Sequence, residues 1–401
     1  MVTDAEERAA LAVVRSLGSA GHRVVCCSSR PPAIAAHSRH CSRHYEVPAA
    51  AEFPDRFTSA VTKIVADEGV DVLLPLTDVS MDLLLSERDG MEDARIPFAS
   101  RDVYRAISDK AKVVEKAREL GMKVPAGGIV TGSDAALPDE LETLTYPIVV
   151  KPSRSVVRTN ATYRKLEVTV ASGASHLHEI LDGIPEDGFP VLLQERLRGP
   201  GIGVFLLRWN GAVRAVFGHR RLREKPPWGG VSVYRESVNV PPLLRRHSER
   251  LLEAFGYEGV AMVEYKRSNA DGHRYLMEVN ARFWGSLQLA IDAGVDFPKL
   301  LLALALGAEP QAPAGYATGV RSRWWLGDVD HLLARLRGAP GAERTEDTVG
   351  RARAMAEFLK IWRPGDRSEV FRLRDPLPFV VELREWLRAT TRGVARRLPT
   401  T

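Results

Sequence analysis

Gly259-Val260-Ala261-Met262-Val263-Glu264 and, beyond a polar turn at Asn269-Ala270-Asp271-Gly272, Tyr275-Leu276-Met277-Glu278-Val279-Asn280-Ala281-Arg282-Phe283-Trp284-Gly285-Ser286 are the stretches on which the fold turns. Two apolar, strand-forming runs joined by Asn and Asp-Gly predict a β-hairpin. A turn centred near Asp271 sets Glu264 opposite Glu278, to within one residue of register. Like charges facing each other on a sheet are destabilising unless a cation lies between them. With a side-chain period of two, Glu278, Asn280 and the approach to Arg282 project to one side. Such oxygen ligands suit Mg²⁺, which takes a few protein oxygens and completes its shell with water and phosphate. An arginine beside the site can hold a phosphoryl group as charge develops. The competing reading is a hairpin whose glutamates face water. The apolar neighbours Val260, Met262, Leu276 and Val279 speak against it.

Working outward, the first hundred residues alternate helical and strand patterns, as a parallel α/β sheet does. Helices are predicted at 6–17, 53–67 and 81–85 and strands at 22–28 and 71–76, with room for a first strand only at Met1 to Thr3. Ligands gather beyond the carboxyl ends of such strands, which makes Thr77 and Asp78 candidates for the substrate site; a helix cap is the rival role for Asp78. A helical pair at 100–120 leads into a compact α+β stretch with strands at 147–151, near 166–170 and at 191–194, and a helix at 175–181. Asn210-Gly211 marks a hairpin between 204–209 and 212–219. Helices at 287–293 and 298–306 close this unit, and from about Pro310 the pattern loosens into Ala/Gly/Pro-rich and Arg-rich segments.

Composition bounds the class. With 401 residues, 45% hydrophobic and 27% charged, the chain reads as a multi-unit globular protein. No run approaches the ~18 apolar residues of a membrane span, and the start lacks a signal-peptide pattern, so stable membrane insertion is not expected and the cytoplasm is the expected compartment. The charge of +5 comes from 56 basic and 51 acidic groups spread along the chain, without the basic stripe of a nucleic-acid binder. The local excess is the tail, Arg384, Arg388, Arg392, Arg396 and Arg397. There Val380, Leu383, Trp386 and Leu387 fall at helical spacing and predict a helix packed on the body. Cys26, Cys27 and Cys41 make no disulfide framework. The run His37-Ser38-Arg39-His40-Cys41-Ser42-Arg43-His44 reads as a surface loop rather than a metal site, because its arginines would repel a cation.

On the hairpin residues the sequence resembles the ATP-grasp superfamily, whose acidic strand pair carries Glu and then Glu-x-Asn-x-Arg. The resemblance implies that Glu264 and Glu278 bridge two magnesium ions, Asn280 completes the second site and Arg282 contacts the transferred phosphate. Ser108-Asp109-Lys110 is similar to the family's first nucleotide lysine segment, with Lys112 as the rival to Lys110. Tyr146-Pro147-Ile148-Val149-Val150-Lys151-Pro152 looks like the second. Leu192-Leu193-Gln194-Glu195-Arg196-Leu197 resembles the linker whose backbone reads the adenine, with Glu195 as an adenine or ribose contact and Gln194 and Leu197 beside it. Two departures stand out. Gly199-Pro200-Gly201-Ile202-Gly203 carries no ribose-binding carboxylate. The loop Ser153-Arg154-Ser155-Val156-Val157-Arg158-Thr159-Asn160 has no glycine where many relatives have a glycine-rich flap, which argues against biotin carboxylation and leaves Arg154 and Arg158 to supply charge.

The implied architecture combines α/β and α+β parts. A parallel α/β domain at 1–105 precedes a two-lobed, antiparallel-sheet ATP-grasp domain at 106–308, with lobes about 122–192 and 193–308 and a helical extension at 309–401. The basic segment His219-Arg220-Arg221-Leu222-Arg223-Glu224-Lys225-Pro226-Pro227-Trp228-Gly229-Gly230 is similar to the strand and loop of ATP-grasp carboxylate–amine ligases. There Arg221 and Arg223 would bind the anionic substrate or acyl phosphate, with Arg235 and Glu236 as secondary candidates. The implied activity is Mg-ATP-dependent ligation of a small carboxylate to an amine through an acyl phosphate. A non-amine acceptor, carboxyphosphate chemistry or a non-catalytic nucleotide-binding module are the alternatives. The implied partners are small molecules rather than nucleic acid, with room for a homodimer. No Gly-x-x-x-x-Gly-Lys-Ser/Thr, His-Glu-x-x-His or Gly-x-Ser-x-Gly motif occurs, so P-loop, zincin and α/β-hydrolase chemistry are not indicated.

Overall fold

The computed structural model describes residues 1–30, 33–91, 94–133, 145–159, 161–338, 350–360, 363 and 365–395. Asn160, Arg396 and Arg397 lie outside them, as does the side chain of Arg392. At the N-terminus, strand β1 (Val25–Ser28) pairs in parallel with β2 (Arg43–Glu46). Val2 bridges both Cys26 and Leu74 in parallel, and Val72 bridges Arg95. The short first segment therefore sits at the centre of a parallel sheet, as its length allowed, while 71–76 takes part through single bridges only. The run expected to be a loop at 37–44 instead ends in β2, whose exposed Arg43 and Glu46 and half-buried His44 and Tyr45 suit a sheet edge.

Helices α1 (Arg8–Ser19), α2 (Pro54–Glu68) and α3 (Asp78–Ser86) cover this sheet. Helix α1 is buried all round from Ala9 to Leu17, as its run of Ala, Leu and Val allows, and α2 starts on Pro54 and stops at Gly69 in the left-handed region. Thr77 caps α3 in a capping box with Ser80, so the cap is Thr77 and Asp78 is left for another partner.

Helices α4 (Arg101–Ile107) and α5 (Lys110–Glu119) lead into a four-stranded antiparallel sheet. Its strands are β3 (Gly127–Val130), β4 (Ile148–Pro152), β7 (Thr169–Ala171) and β8 (Val191–Glu195), in the order β3-β8-β4-β7. Helix α6 (Ala174–Asp182) buries Leu177 and Leu181 against it. Between β4 and β7 a separate hairpin, β5 (Val156–Thr159) and β6 (Thr162–Lys165), occupies the place of the glycine-poor flap.

The large sheet is built around β9 (Gly201–Trp209), β10 (Ala212–Lys225), β11 (Val231–Ser237), β12 (Gly259–Arg267) and β13 (Arg274–Asn280). Asn210 (φ 51°) and Gly211 (φ 75°) make the tight turn between β9 and β10 that the dipeptide predicted. Helices α7 (Pro242–Ala254), α8 (Leu287–Asp292) and α9 (Phe297–Ala305) pack around it, and α1 packs on α8 and α9. The sheet does not end at residue 308. Strands β14 (Arg321–Arg323) and β15 (Asp366–Ser368) extend it to the order β13-β12-β9-β10-β11-β14-β15, so the C-terminal segment is partly an extension of this sheet. Helices α10 (Trp325–Arg337), α11 (Arg351–Leu359) and α12 (Leu377–Ala395) follow. The tail helix is docked by polar contacts: Trp324 donates to Glu382 and Trp386 to Asp330, while Val380 and Leu387 stay exposed. No helix among the described residues is long and apolar enough to cross a membrane.

Candidate active site

Glu264 and Glu278 are direct partners in the β12–β13 ladder, with Val263 opposite Val279 and Met262 opposite Asn280. Buried Val260, Val263, Leu276 and Val279 hold the register, because a slip of one residue would turn them outward. The register shifts immediately after Glu264, where Met277 is the extra residue on β13 and lines the cavity, while alternation along β12 carries Tyr265 into the core on the opposite face. Glu278 accepts a hydrogen bond from the Asn280 amide at 3.2 Å.

The row continues across the sheet: Glu264 lies opposite Gly203 on β9, and Gly203 opposite His219 on β10. The glycines have a spatial purpose. A Cβ on Gly201 would stand 2.8 Å from Arg221 Cδ, and one on Gly203 would stand 2.9 Å from His219. With neither present, Arg221 crosses β9 to pair with Glu264, and it also reaches Glu224 and the Gly230 carbonyl at 3.2 Å each. His219 is fully buried edge-on to Phe205, which lies 4.3 Å from Trp284. Burial, reinforced by Arg221 and Arg235, lowers His219 well below the ordinary histidine value, so it is neutral.

The electrostatics of the two carboxyls differ. Burial raises Glu264, and Glu278 adds to the rise while Arg221 opposes it. Burial also acts to raise Glu278, but Lys110 and Lys151 outweigh it and hold the group below its usual value. Lys151, at the end of β4, is lowered by burial, against the pull of Glu278 and Glu264. Lys110 opens α5, where Asp109 caps the helix, and its Nζ donates to Ser155 at 2.9 Å. Lys112, its sequence rival, points to solvent.

Arg282 forms a two-pronged pair with Asp78, at 2.7 and 3.0 Å, and Tyr104 donates to the same carboxylate at 3.1 Å. Burial opposes ionisation of Asp78, yet Arg282 and Tyr104 keep it below the ordinary aspartate range. This cross-domain pair was not foreseen; the position of Asp78 at a strand end was the available signal.

A cavity of about 850 Å³ gathers Lys151, Gln194, Glu195, Leu197, Arg221, Glu264, Glu278, Asn280 and Arg282 on one wall or another. Val149, Val170 and Met277 line it near the β8 end, where the Glu195 carboxylate accepts from the Ala126 amide at 2.9 Å. A second cavity of about 620 Å³ holds Lys110, Arg154 and Arg158 and shares Glu278 and Asn280 with the first.

Three predicted residues fall elsewhere. Arg223 lies beyond a second bulge in β10 and turns to Asp328 of α10 at 2.8 Å and to the Glu357 carbonyl of α11, stacked on Tyr234. It is a tie to the C-terminal segment and lines neither cavity. Arg235 is buried against Glu369, and Glu236 is taken by Arg220 and Arg321.

The donor set fits magnesium. Among the described residues no group of three or more His, Cys, Asp or Glu converges, so an ion here would draw on two carboxylates and a carboxamide and complete its shell with water and phosphate oxygens. A buried pair of facing glutamates is otherwise costly.

Residues 188–326 match the family described as ATP-grasp in the biosynthetic pathway with Ter operon. The L-amino acid ligase from Bacillus licheniformis superposes with a TM-score of 0.59 at 16% identity, covering 76% of this chain and 73% of that one. The biotin carboxylase of Campylobacter jejuni gives 0.62 at 16% over 80% and 74%. The N5-carboxyaminoimidazole synthetase of Staphylococcus aureus, in complex with ADP, gives 0.59 at 14% over 80% and 79%. At these identities the likeness establishes the fold, that of the ATP-grasp enzymes, and the family match falls on the part of the chain that carries the acidic strand pair.

Proposed function

We propose that the chain is a ligase that uses ATP and Mg²⁺ to phosphorylate a substrate carboxylate and pass its acyl group to an amine, releasing ADP and phosphate. The observation that carries this reading is the in-register Glu264–Glu278 pair with Lys110 and Lys151 converging on it. The adenine would lie between Val149, Val170 and Met277 and be read by the backbone at 194–197, with the phosphates running toward the lysines. Magnesium bound by Glu264, Glu278 and Asn280 would neutralise and orient those phosphates. Lys110 and Lys151 hold phosphate oxygens as point charges. Arg282, kept rigid by Asp78, and Arg221, kept rigid by Glu264, offer guanidinium groups where negative charge grows.

In the first step a carboxylate oxygen attacks the γ-phosphorus in line, and the bond to the bridging oxygen breaks to give ADP and an acyl phosphate. In the second, the neutral amine attacks the acyl carbon, phosphate departs, and the amine nitrogen loses a proton. Positioning and charge neutralisation by the chain's own residues supply the acceleration.

ADP release measured with amino acids and peptide carboxylates, each with and without amines, tests the reading. Glu278→Gln is expected to lower substrate-dependent ADP release by about 100-fold or more while the fold persists. Nucleotide binding without turnover under every pairing would instead favour a binding module, and turnover needing bicarbonate or a thiol would replace the amine.

A further inference from the structure

One wall of the cavity carries a side chain from the N-terminus that the C-terminal segment backs. Arg8, on the first turn of α1, lines the same cavity as Arg221 and Arg282. Its Nη1 donates to Glu369 at 2.8 Å, and its guanidinium lies 3.7 Å over the ring of Trp324. Gly285, three residues after Arg282, makes room for it: a Cβ there would stand 3.2 Å from Arg8 Nη2. The backbone of Gly285 is not in the left-handed region, so this glycine is a matter of space and not of conformation. Nη2 lies on that wall and, among the described residues, has no hydrogen-bond acceptor.

The charge balance at this wall is positive. Glu369 is shared by Arg8 and the fully buried Arg235, one carboxylate for two guanidinium groups. Glu382, which accepts from Trp324 Nε1 and feels the charge of Arg8, is pushed up to about 7 by burial and so cancels only part of the remainder near neutral pH. The neighbouring His219 is neutral. A rigidly held guanidinium that shares its one carboxylate with a second arginine and turns a free edge toward a cavity suits a further carboxylate.

We propose that Arg8 anchors a carboxylate on the acceptor amine, so that the acceptor is an amino acid or peptide bound through its carboxyl end. The inference rests on the ligase reading above. The donor carboxylate is consumed beside Arg282 and Arg221, whereas Arg8, against Gly285 on the cavity wall, holds a group that survives the reaction. The surrounding positive charge also disfavours an ammonium, which brings the amine to its attacking, neutral form.

Full-length protein loaded with Mg²⁺ and a non-hydrolysable ATP analogue is titrated calorimetrically with the L-amino acids one by one and with their amides. The expected result is that at least one amino acid binds the wild type about tenfold or more tighter than its amide, as the loss of a charge-assisted contact implies. Arg8→Met, which keeps an unbranched side chain against Trp324, abolishes that preference without changing nucleotide affinity, and Arg8→Lys retains part of it. A preference that persists in Arg8→Met, or none in the wild type with any amino acid, overturns the proposal. So does an Arg8→Met effect confined to the donor's KM when turnover is measured. ADP release by the same wild-type preparation reports separately on the ligase reading: turnover without a carboxylate preference sinks the role of Arg8 alone.

Discussion

Glu264 and Glu278 face each other, yet their surroundings divide the charge unequally: two lysines favour the ionised form of Glu278, while burial leaves Glu264 dependent on Arg221. Removing one partner of such a buried set costs more than the set itself contributes, because the remaining charge is stranded. Glu382 is the simpler case, with its carboxyl displaced from 4.5 to about 7 chiefly by burial. Between those values the unfolded chain is ionised while the folded protein keeps its proton, so stability falls as pH rises through that window. Glu382→Gln keeps an acceptor for Trp324 and removes the ionisation. Thermal melts should therefore show the variant more stable than wild type at pH 8, by on the order of 2 kcal/mol, and little different near pH 4.5. An unchanged difference across that range would contradict the assignment.

The strand β9 works by absence, since Gly201 and Gly203 let the side chains of β10 lie across it to the acidic pair. Gly201→Ala pushes on the flexible stem of Arg221 and not on backbone, so the fold should yield by no more than about 1 kcal/mol. The rate of ADP release should fall by roughly tenfold or more as the guanidinium leaves Glu264, a split that melts and turnover together would reveal. A parallel loss of both would point to a packing role only. The hairpin of β12 and β13 was legible in the sequence because its turn chemistry and apolar alternation agree, and the β9–β10 turn for the same reason. Arg223 was not, because a bulge reverses where a strand residue points without leaving a mark in the pattern. Strands β14 and β15, of three residues each, carry too little periodicity to read. The bond between Asp78 and Arg282 joins residues 204 apart, which no local pattern encodes.

At the scale of the molecule, the cleft is framed by ties between distant segments. Arg15 and Asp375 pair at 2.8 Å, with Ser38 donating to the same carboxylate, and this fixes the C-terminal segment to the first domain. Asp82 takes Arg101 and Arg105 from α4 and the Tyr163 hydroxyl at 2.7 Å, clasping the β5–β6 hairpin to the first domain beside the second cavity. Lys110, Arg8 and Arg282 arise from different parts of the chain, yet they line two cavities that share Glu278 and Asn280. We propose that this frame presents two glutamates to a metal–nucleotide complex. Calorimetric titration of ADP into wild type, Glu264→Gln and Glu278→Gln, with and without Mg²⁺, tests it most directly. Mg²⁺ is expected to tighten ADP binding to wild type by about tenfold or more, with that gain largely lost in both variants and metal-free binding kept or improved. An equal Mg²⁺ enhancement in all three proteins would contradict it.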